Sequence, residues 1–465
     1  MRHDQPWVLF TLALLNLFVL LAALTAYDVI ATRPPDPVAS PVTHAAAAPD
    51  AMESDVAEVD ATRLAEQLDD RMSGSAVEEG LSGYVAAPDA VDEPLFELHA
   101  EQGATPASTT KIATALAVLA TVGPDERITT TVVGDSLVAA EGDSEGGNVP
   151  EVVLVGAGDP TLTEVPDPHA YPTVASLWEL AAETAAELAE ADVDTVRVGY
   201  DSSAYTGSDR GPRWRPNYVD GGSVAPVHAL MHDAGRVDAD DFYGERVGDP
   251  PRATATAFAN QLAAAGIAVE GEPQERDATP EAVELAAVDS PPIGALVEYM
   301  LDTSDNNVAE ALARQVALAE GEDASFAGAA RASERVLDEL GISGVELADG
   351  SGLSVDSEIS PRSLVDMLAV ATDPNHPDLH PTFTGLPVAG FTGTLSGRYA
   401  ADSDAAAGAG LVRGKTGTLS GVSTLAGTVH DEQGRLLLFA FMANDPAATG
   451  SALDELAAAV VECGC

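Results

Sequence analysis

Residues Ala107–Leu116 read ASTTKIATAL, and the lysine within them decides how the rest of the chain is read. The 465-residue sequence has two lysines, Lys111 and Lys415, and the remaining 20 of its 22 basic residues are arginines. Lys111 stands three residues after Ser108, where Ile112, Leu116 and Leu119 recur at helical spacing. On a helix, positions i and i+3 share a face with Cβ atoms about 5–6 Å apart, so the amine can reach the hydroxyl and take its proton. A free lysine titrates near ~10.4, too high for a base at neutral pH. Partial desolvation and a second positive charge would lower it, so the pattern predicts another cation nearby.

The other lysine opens Lys415-Thr416-Gly417-Thr418 on an expected strand, where a glycine lets a ligand or helix approach the backbone. Between the two lies Ser304-Asp305-Asn306, just before an expected helix. Singly, each motif has a plain alternative: Ser108 as a helix cap with Lys111 on the surface, or Ser304 as a cap. Together, S-x-x-K, S-x-N and K-T-G occur in chain order with both lysines inside them. That set is associated with class A β-lactamases and penicillin-binding proteins.

On these motifs the chain resembles the penicillin-binding D-alanyl-D-alanine carboxypeptidases. More narrowly, it is similar to the insert-bearing low-molecular-mass group that also acts as an endopeptidase. Ser108 and Ser304 are 196 residues apart, which fits a large insertion between the first two motifs. Three further stretches are similar to that group: Val155-Gly156-Ala157-Gly158-Asp159-Pro160-Thr161-Leu162, Asp349-Gly350-Ser351-Gly352-Leu353-Ser354 and Phe391-Thr392-Gly393-Thr394-Leu395. The resemblance covers roughly residues 60–465. It implies an α/β (α+β) transpeptidase/β-lactamase-like domain, an antiparallel sheet flanked by helices, with a large, mostly β insert folded separately.

By matched position, Ser108 is implied to be the acylated nucleophile and Lys111 its base. Ser304 relays a proton to the leaving amine, and Asn306 hydrogen-bonds the substrate peptide. Lys415 supplies positive potential, Thr416 and Thr418 hold the terminal carboxylate, and the N–H groups of Ser108 and Thr418 form the oxyanion hole. Leu353, Gly417, Leu419 and Ser420 complete the expected substrate site. One departure stands out. The D-G-S-G-L-S stretch often continues with an arginine that binds the stem-peptide side chain, and here that place is Val355. The resemblance implies peptidoglycan stem peptides as substrates, β-lactams as covalent inhibitors and no cofactor.

Composition agrees with an exported enzyme and excludes other classes. The formal net charge is −53, from 75 acidic residues against 22 basic ones, which repels nucleic acid and anionic lipid headgroups. Residues Trp7–Tyr27 carry no charge, and 21 residues at about 1.5 Å each span a bilayer core. The expectation is a single N-terminal transmembrane helix at 7–27 after a short flank at 1–6. The body would lie outside the cell, anchored in the plasma membrane; cleavage after Val29-Ile30-Ala31 is the alternative. A Pro-, Ala- and acid-rich tether follows at 28–60. The catalytic domain is expected at 61–130 and 286–465 and the insert at 131–285. The only cysteines, Cys463 and Cys465, give no disulfide framework and no metal-finger spacing.

Other patterns carry less. His228 and His232 stand at i, i+4, but no glutamate follows His228, so no H-E-x-x-H site exists and no metal is expected. Gly156-x-Gly158 lacks the third glycine of a dinucleotide fingerprint and reads as a turn. Two alternative functions share the motifs. A serine β-lactamase would need a glutamate-activated water, and no convincing E-x-x-L-N follows Asn306. A non-catalytic envelope scaffold would not need Ser108, Lys111, Ser304, Asn306 and Lys415 all intact.

Overall fold

The stretch Leu436–Ala443, LLLFAFMA, is apolar at every position although it is one strand of an antiparallel sheet. Such a run needs both faces covered, because successive side chains point to opposite sides. The computed structural model describes residues 59–72, 80–134, 149–167, 169, 171–447 and 449–463. The expected anchor at 7–27 and most of the tether lie outside these. Among the described residues no helix is long and apolar enough to cross a membrane.

In chain order the strands are β1 (Leu81–Ala86), β2 (Phe96–Leu98), β3 (Thr129–Gly134), β4 (Glu151–Val155), β5 (Thr195–Asp201), β6 (Ala268–Val269), β7 (Gln274–Glu275), β8 (Val283–Asp289), β9 (Val345–Glu346), β10 (Glu358–Ile359), β11 (Val412–Leu419), β12 (Val422–His430) and β13 (Leu436–Ala443). One sheet runs β11-β12-β13-β1-β2, antiparallel throughout. β11 and β12 join through Ser420-Gly421, where Gly421 takes φ +79°, a left-handed conformation that glycine adopts without steric cost.

The two faces of this sheet feed separate cores. Leu438, Ala440 and Met442 pack with the helices Thr110–Thr121, Ile293–Thr303, Asn306–Ala319 and Pro361–Thr372. Leu437, Phe439 and Phe441 pack with Leu64 and Leu68 of the helix Ala61–Met72 and with Leu453, Leu456 and Val460 of Gly450–Glu462. Each large apolar side chain so buried contributes roughly 1.5–3 kcal/mol. The closing helix runs into Cys463, which is buried and disulfide-bonded.

The second sheet runs β6-β5-β4-β3-β8, with β7 on β5. It is mixed: β3 pairs antiparallel with β4 and β8, whereas β5 pairs parallel with β4, β6 and β7. Parallel neighbours need crossovers, and here the helices Leu177–Glu190 and Pro250–Ala264 supply them. Both helices bury apolar residues in a third core, Leu180 and Leu188 from one and Phe258 and Leu262 from the other. The insert, expected to be mostly β, thus also holds the two helices that the apolar spacing in LWELAAETAAELAEA and ATAFANQLAAAG predicts. β3 and β4 alternate buried and half-buried residues, so only one of their faces is well covered. Between β5 and Pro250–Ala264 runs an irregular segment, about residues 202–249, which the buried Arg246 ties together. Its guanidinium donates to the carbonyls of Gly222, Ala234 and Phe242 at 3.0, 2.9 and 3.1 Å.

Candidate active site

Ser108 sits in a 3-10 turn, Ala107–Thr109, that feeds the helix Thr110–Thr121. The turn is pinned from two sides. Ala107 takes φ +48°, a conformation that costs an L-residue about 1–3 kcal/mol and persists only where surroundings impose it. Gly352 packs so closely on it that an added Cβ would collide with the carbonyl oxygen of Ala107. On the other side, a Cβ on Gly417 of β11 would lie 2.7 Å from Pro106 O and 3.0 Å from the Ser108 nitrogen. Thr424 of β12 donates to the same Pro106 carbonyl at 2.8 Å. The glycine expected to permit close approach therefore admits the Ser108 turn.

Lys111 is fully buried, in the first turn of that helix. Its Nζ lies 3.1 Å from Ser108 Oγ, 2.7 Å from Asn306 Oδ1 and 2.7 Å from the Ser351 carbonyl. Burial pulls its pKa down to about 8, while the carboxylates of Asp349, Glu310 and Asp305 pull the other way. Desolvation, rather than a second cation, is thus the chief cause of the lowering that the sequence pattern required. Lys415 is also fully buried and falls well below the ordinary lysine range, first through burial and then through repulsion from Lys111. Its Nζ donates to Ser304 Oγ at 2.9 Å and to the Thr416 carbonyl at 3.1 Å.

Ser304 ends the helix Ile293–Thr303 in a left-handed conformation, φ +62°, unusual for a residue with a side chain. The next helix starts two residues later. Asp305 caps it, accepting from Asn307 N and Val308 N at 2.8 and 3.1 Å, and pairs with the buried guanidinium of Arg236. Asn306 donates through Nδ2 to Ser223 O at 2.9 Å while its Oδ1 receives Lys111. The strained serine and the capped asparagine are thereby held on opposite sides of one tight junction.

These groups border a cavity of about 390 Å³. Ser108, Ser304, Asn306, Thr416 and Thr418 line one side. Arg215, Tyr218, Ser223 and Tyr243 of the irregular segment line the other. Leu353, Leu419 and Ser420 close one end, where Leu353 packs with Val219, Val224, Trp214 and Tyr218. Arg215 is exposed and donates to Ser420 Oγ at 2.8 Å. Val355 is 36% exposed and does not line the cavity.

A model of the D-Ala-D-Ala carboxypeptidase 3 (S13) family matches residues 64–255 and 241–462, most of the chain. The chain belongs to the D-Ala-D-Ala carboxypeptidase 3 (S13) family. This S13 protein is 38% identical over 381 residues to carboxypeptidase DacB of Mycolicibacterium smegmatis, covering 78% of each chain. It is 29% identical over 454 residues to a D-alanyl-D-alanine carboxypeptidase of an Actinomadura species, covering 81% and 80%. Among solved structures, penicillin binding protein 4 of Haemophilus influenzae superposes with a TM-score of 0.67 at 21% identity, covering 86% of this chain and 98% of that one. The α/β penicillin-binding fold is common to both.

Within this S13 chain, all eleven residues singled out from the sequence gather around one cleft. Eight line it, while Lys111, Lys415 and Gly417 stand behind its wall. Sequence reasoning missed the far wall: Arg215, Tyr218, Ser223 and Tyr243 carry no motif, and neither does Trp214, which packs on Leu353 beside it. The signal present was local: Arg213-Trp214-Arg215 puts one of three tryptophans and two of 20 arginines together in an acidic chain. Glu310, buried behind Ser351, was also missed, because a glutamate on a helix reads as surface.

Proposed function

We propose that this protein is a serine-type D-Ala-D-Ala carboxypeptidase that removes terminal D-alanine from peptidoglycan stem peptides outside the cytoplasm. The observation that carries this reading is the 3.1 Å approach of a buried Lys111 Nζ to Ser108 Oγ, with Ser304, which Lys415 hydrogen-bonds, lining the same cleft. Lys111 takes the hydroxyl proton as Ser108 Oγ bonds to the penultimate D-Ala carbonyl. The carbonyl electron pair moves to oxygen, against the N–H groups of Ser108 and Thr418. As that pair returns, the C–N bond breaks and the departing amine gains a proton by way of Ser304. Water then cleaves the ester. Asn306 orients the peptide, while Lys415, Thr416 and Thr418 receive the terminal carboxylate.

A β-lactam amide meets the same hydroxyl and forms the same ester, so penicillin traps the enzyme. The test is one assay on a D-Ala-D-Ala peptide and penicillin. Release of D-alanine with stoichiometric capture of penicillin is expected. Rapid turnover of penicillin would instead mark a β-lactamase, and neither activity would mark a scaffold.

The finer points of the proposal concern layout and reach. Residues 7–27 anchor the protein in the plasma membrane; a mature soluble form starting at Thr32 would overturn this. Residues 61–130 and 286–465 form the catalytic body and 131–285 the insert, a division supported by separate sheets and cores. Endopeptidase action on cross-links uses the same ester.

A further inference from the structure

Behind Lys111 lies a layer of buried charge that the acylation step does not itself use. The Ser351 carbonyl, which receives Lys111 Nζ, belongs to a turn fixed by two carboxylates. Glu310 accepts from Gly350 N and Ser351 N at 3.2 and 2.9 Å. Asp349 accepts from Gly352 N and Ser354 N at 2.8 and 2.6 Å, and from the indole N–H of Trp214 at 2.7 Å. Both carboxylates are almost fully buried. Burial pushes both upward in pKa, and their mutual repulsion adds to the rise on Glu310.

The compensation available is thin. Arg314 lies 3.8 Å from Glu310, and its Nε and Nη1 have no hydrogen-bond partner. Instead its guanidinium stacks 3.9 Å from the centre of the Phe326 ring, which meets Trp214 edge-on at 5.3 Å. The other titratable groups facing this layer are Lys111 on its own helix, Asp305 at the cap, and Tyr205 with Asp159 behind it. With Lys111 neutral, two carboxylates face one guanidinium. When Lys111 takes the Ser108 proton, the cluster reaches balance.

We propose that Glu310 and Asp349 act as a buried positioning and counter-charge pair for Lys111, aiming its amine through Ser351 and stabilising the ammonium that forms as Ser108 attacks. Trp214 seats Asp349, so the inserted region takes part in tuning the base. The inference rests on Lys111 being that base.

The pair never touches substrate, so its removal acts through Lys111. Glu310→Gln keeps the shape and removes one negative charge, which favours the neutral amine. The acid limb of the pH profile for acylation by penicillin should move to lower pH by about half a unit or more. The plateau rate should fall about tenfold or more, with KM for the peptide little changed. Asp349→Asn removes the other negative charge of the pair and should move the limb the same way; it carries the test if Glu310→Gln does not fold. A limb that stays in place or moves up, in variants that melt like wild type, overturns the inference. Lys111→Arg separates the two readings. If it acylates at near wild-type rate, the base assignment itself fails. If it is inactive while Glu310→Gln leaves the limb unmoved, only the counter-charge pair fails.

Discussion

The two sheets solve different problems, and the difference governs where chemistry sits. The five-stranded sheet is covered on both faces, so its middle strand β13 is apolar throughout. Its edge strand β11 presses against the Ser108 turn with only a glycine between. The mixed sheet is well covered on one face, and from its strand β5 leads the long irregular segment that walls the cleft. The first side holds the groups that must meet within hydrogen-bond distance; the irregular side lines the cleft with arginine and aromatic groups. Reaction chemistry should therefore fail wholesale when the first side is altered, and specificity should drift when the second is.

The largest effects test the first side. Ser108→Ala should abolish the single added drug mass seen by intact-mass analysis after penicillin treatment. Lys111→Arg should lower acylation by about a thousandfold or more, since arginine does not give up its proton and one member of a catalytic unit is lost. In the wild type, a base with its pKa pulled down to about 8 is active only when unprotonated. Acylation should rise with pH through about 8 and then level off; a rate that falls across that range would break the assignment.

An intermediate effect comes from Thr418→Val. It removes a hydroxyl but keeps the shape, and should cost about 1–3 kcal/mol, roughly 5–150-fold in kcat/KM, on peptides with a free terminal carboxylate. An equal loss on amidated peptides would show that Thr418 does not read that group. The smallest effect sharpens the other half of the comparison. Arg215 is exposed on the irregular side, hydrogen-bonded to Ser420 and to no carboxylate. Arg215→Gln should lower kcat/KM by about 2–5-fold for stem peptides carrying a side-chain carboxylate, the size of an exposed ionic contact. Peptides with a neutral side chain there should be unaffected, and equal losses on both would remove Arg215 from side-chain recognition.

What the sequence discloses follows the same divide. Periodicity and punctuation are strong where elements are regular. The strand that carries Lys415 and the helix after Asp305 stand as expected. The helices Phe326–Glu339 and Pro361–Thr372 were not among the expected elements, although Ser325 and Ser360 cap them and Pro361 opens the second. The site was legible because its motifs are short and local. Nothing local marks Ser223, whose carbonyl receives Asn306, or Glu310, whose carboxylate reaches across 40 residues to the turn beneath Lys111. Such pairings exist only after folding brings distant segments together.

Asp305 is held at once by the first turn of its own helix and by Arg236 from the irregular segment. Separating a buried ion pair costs about 3–5 kcal/mol, because each charge is left without compensation. If heating loosens the 233–247 region, the head of the Asn306 helix loses its partner while both sheets remain paired. Catalysis then serves as a thermometer for the insert. On a slow temperature ramp, penicillin labelling should fade several degrees before far-UV ellipticity does, and it should return on cooling.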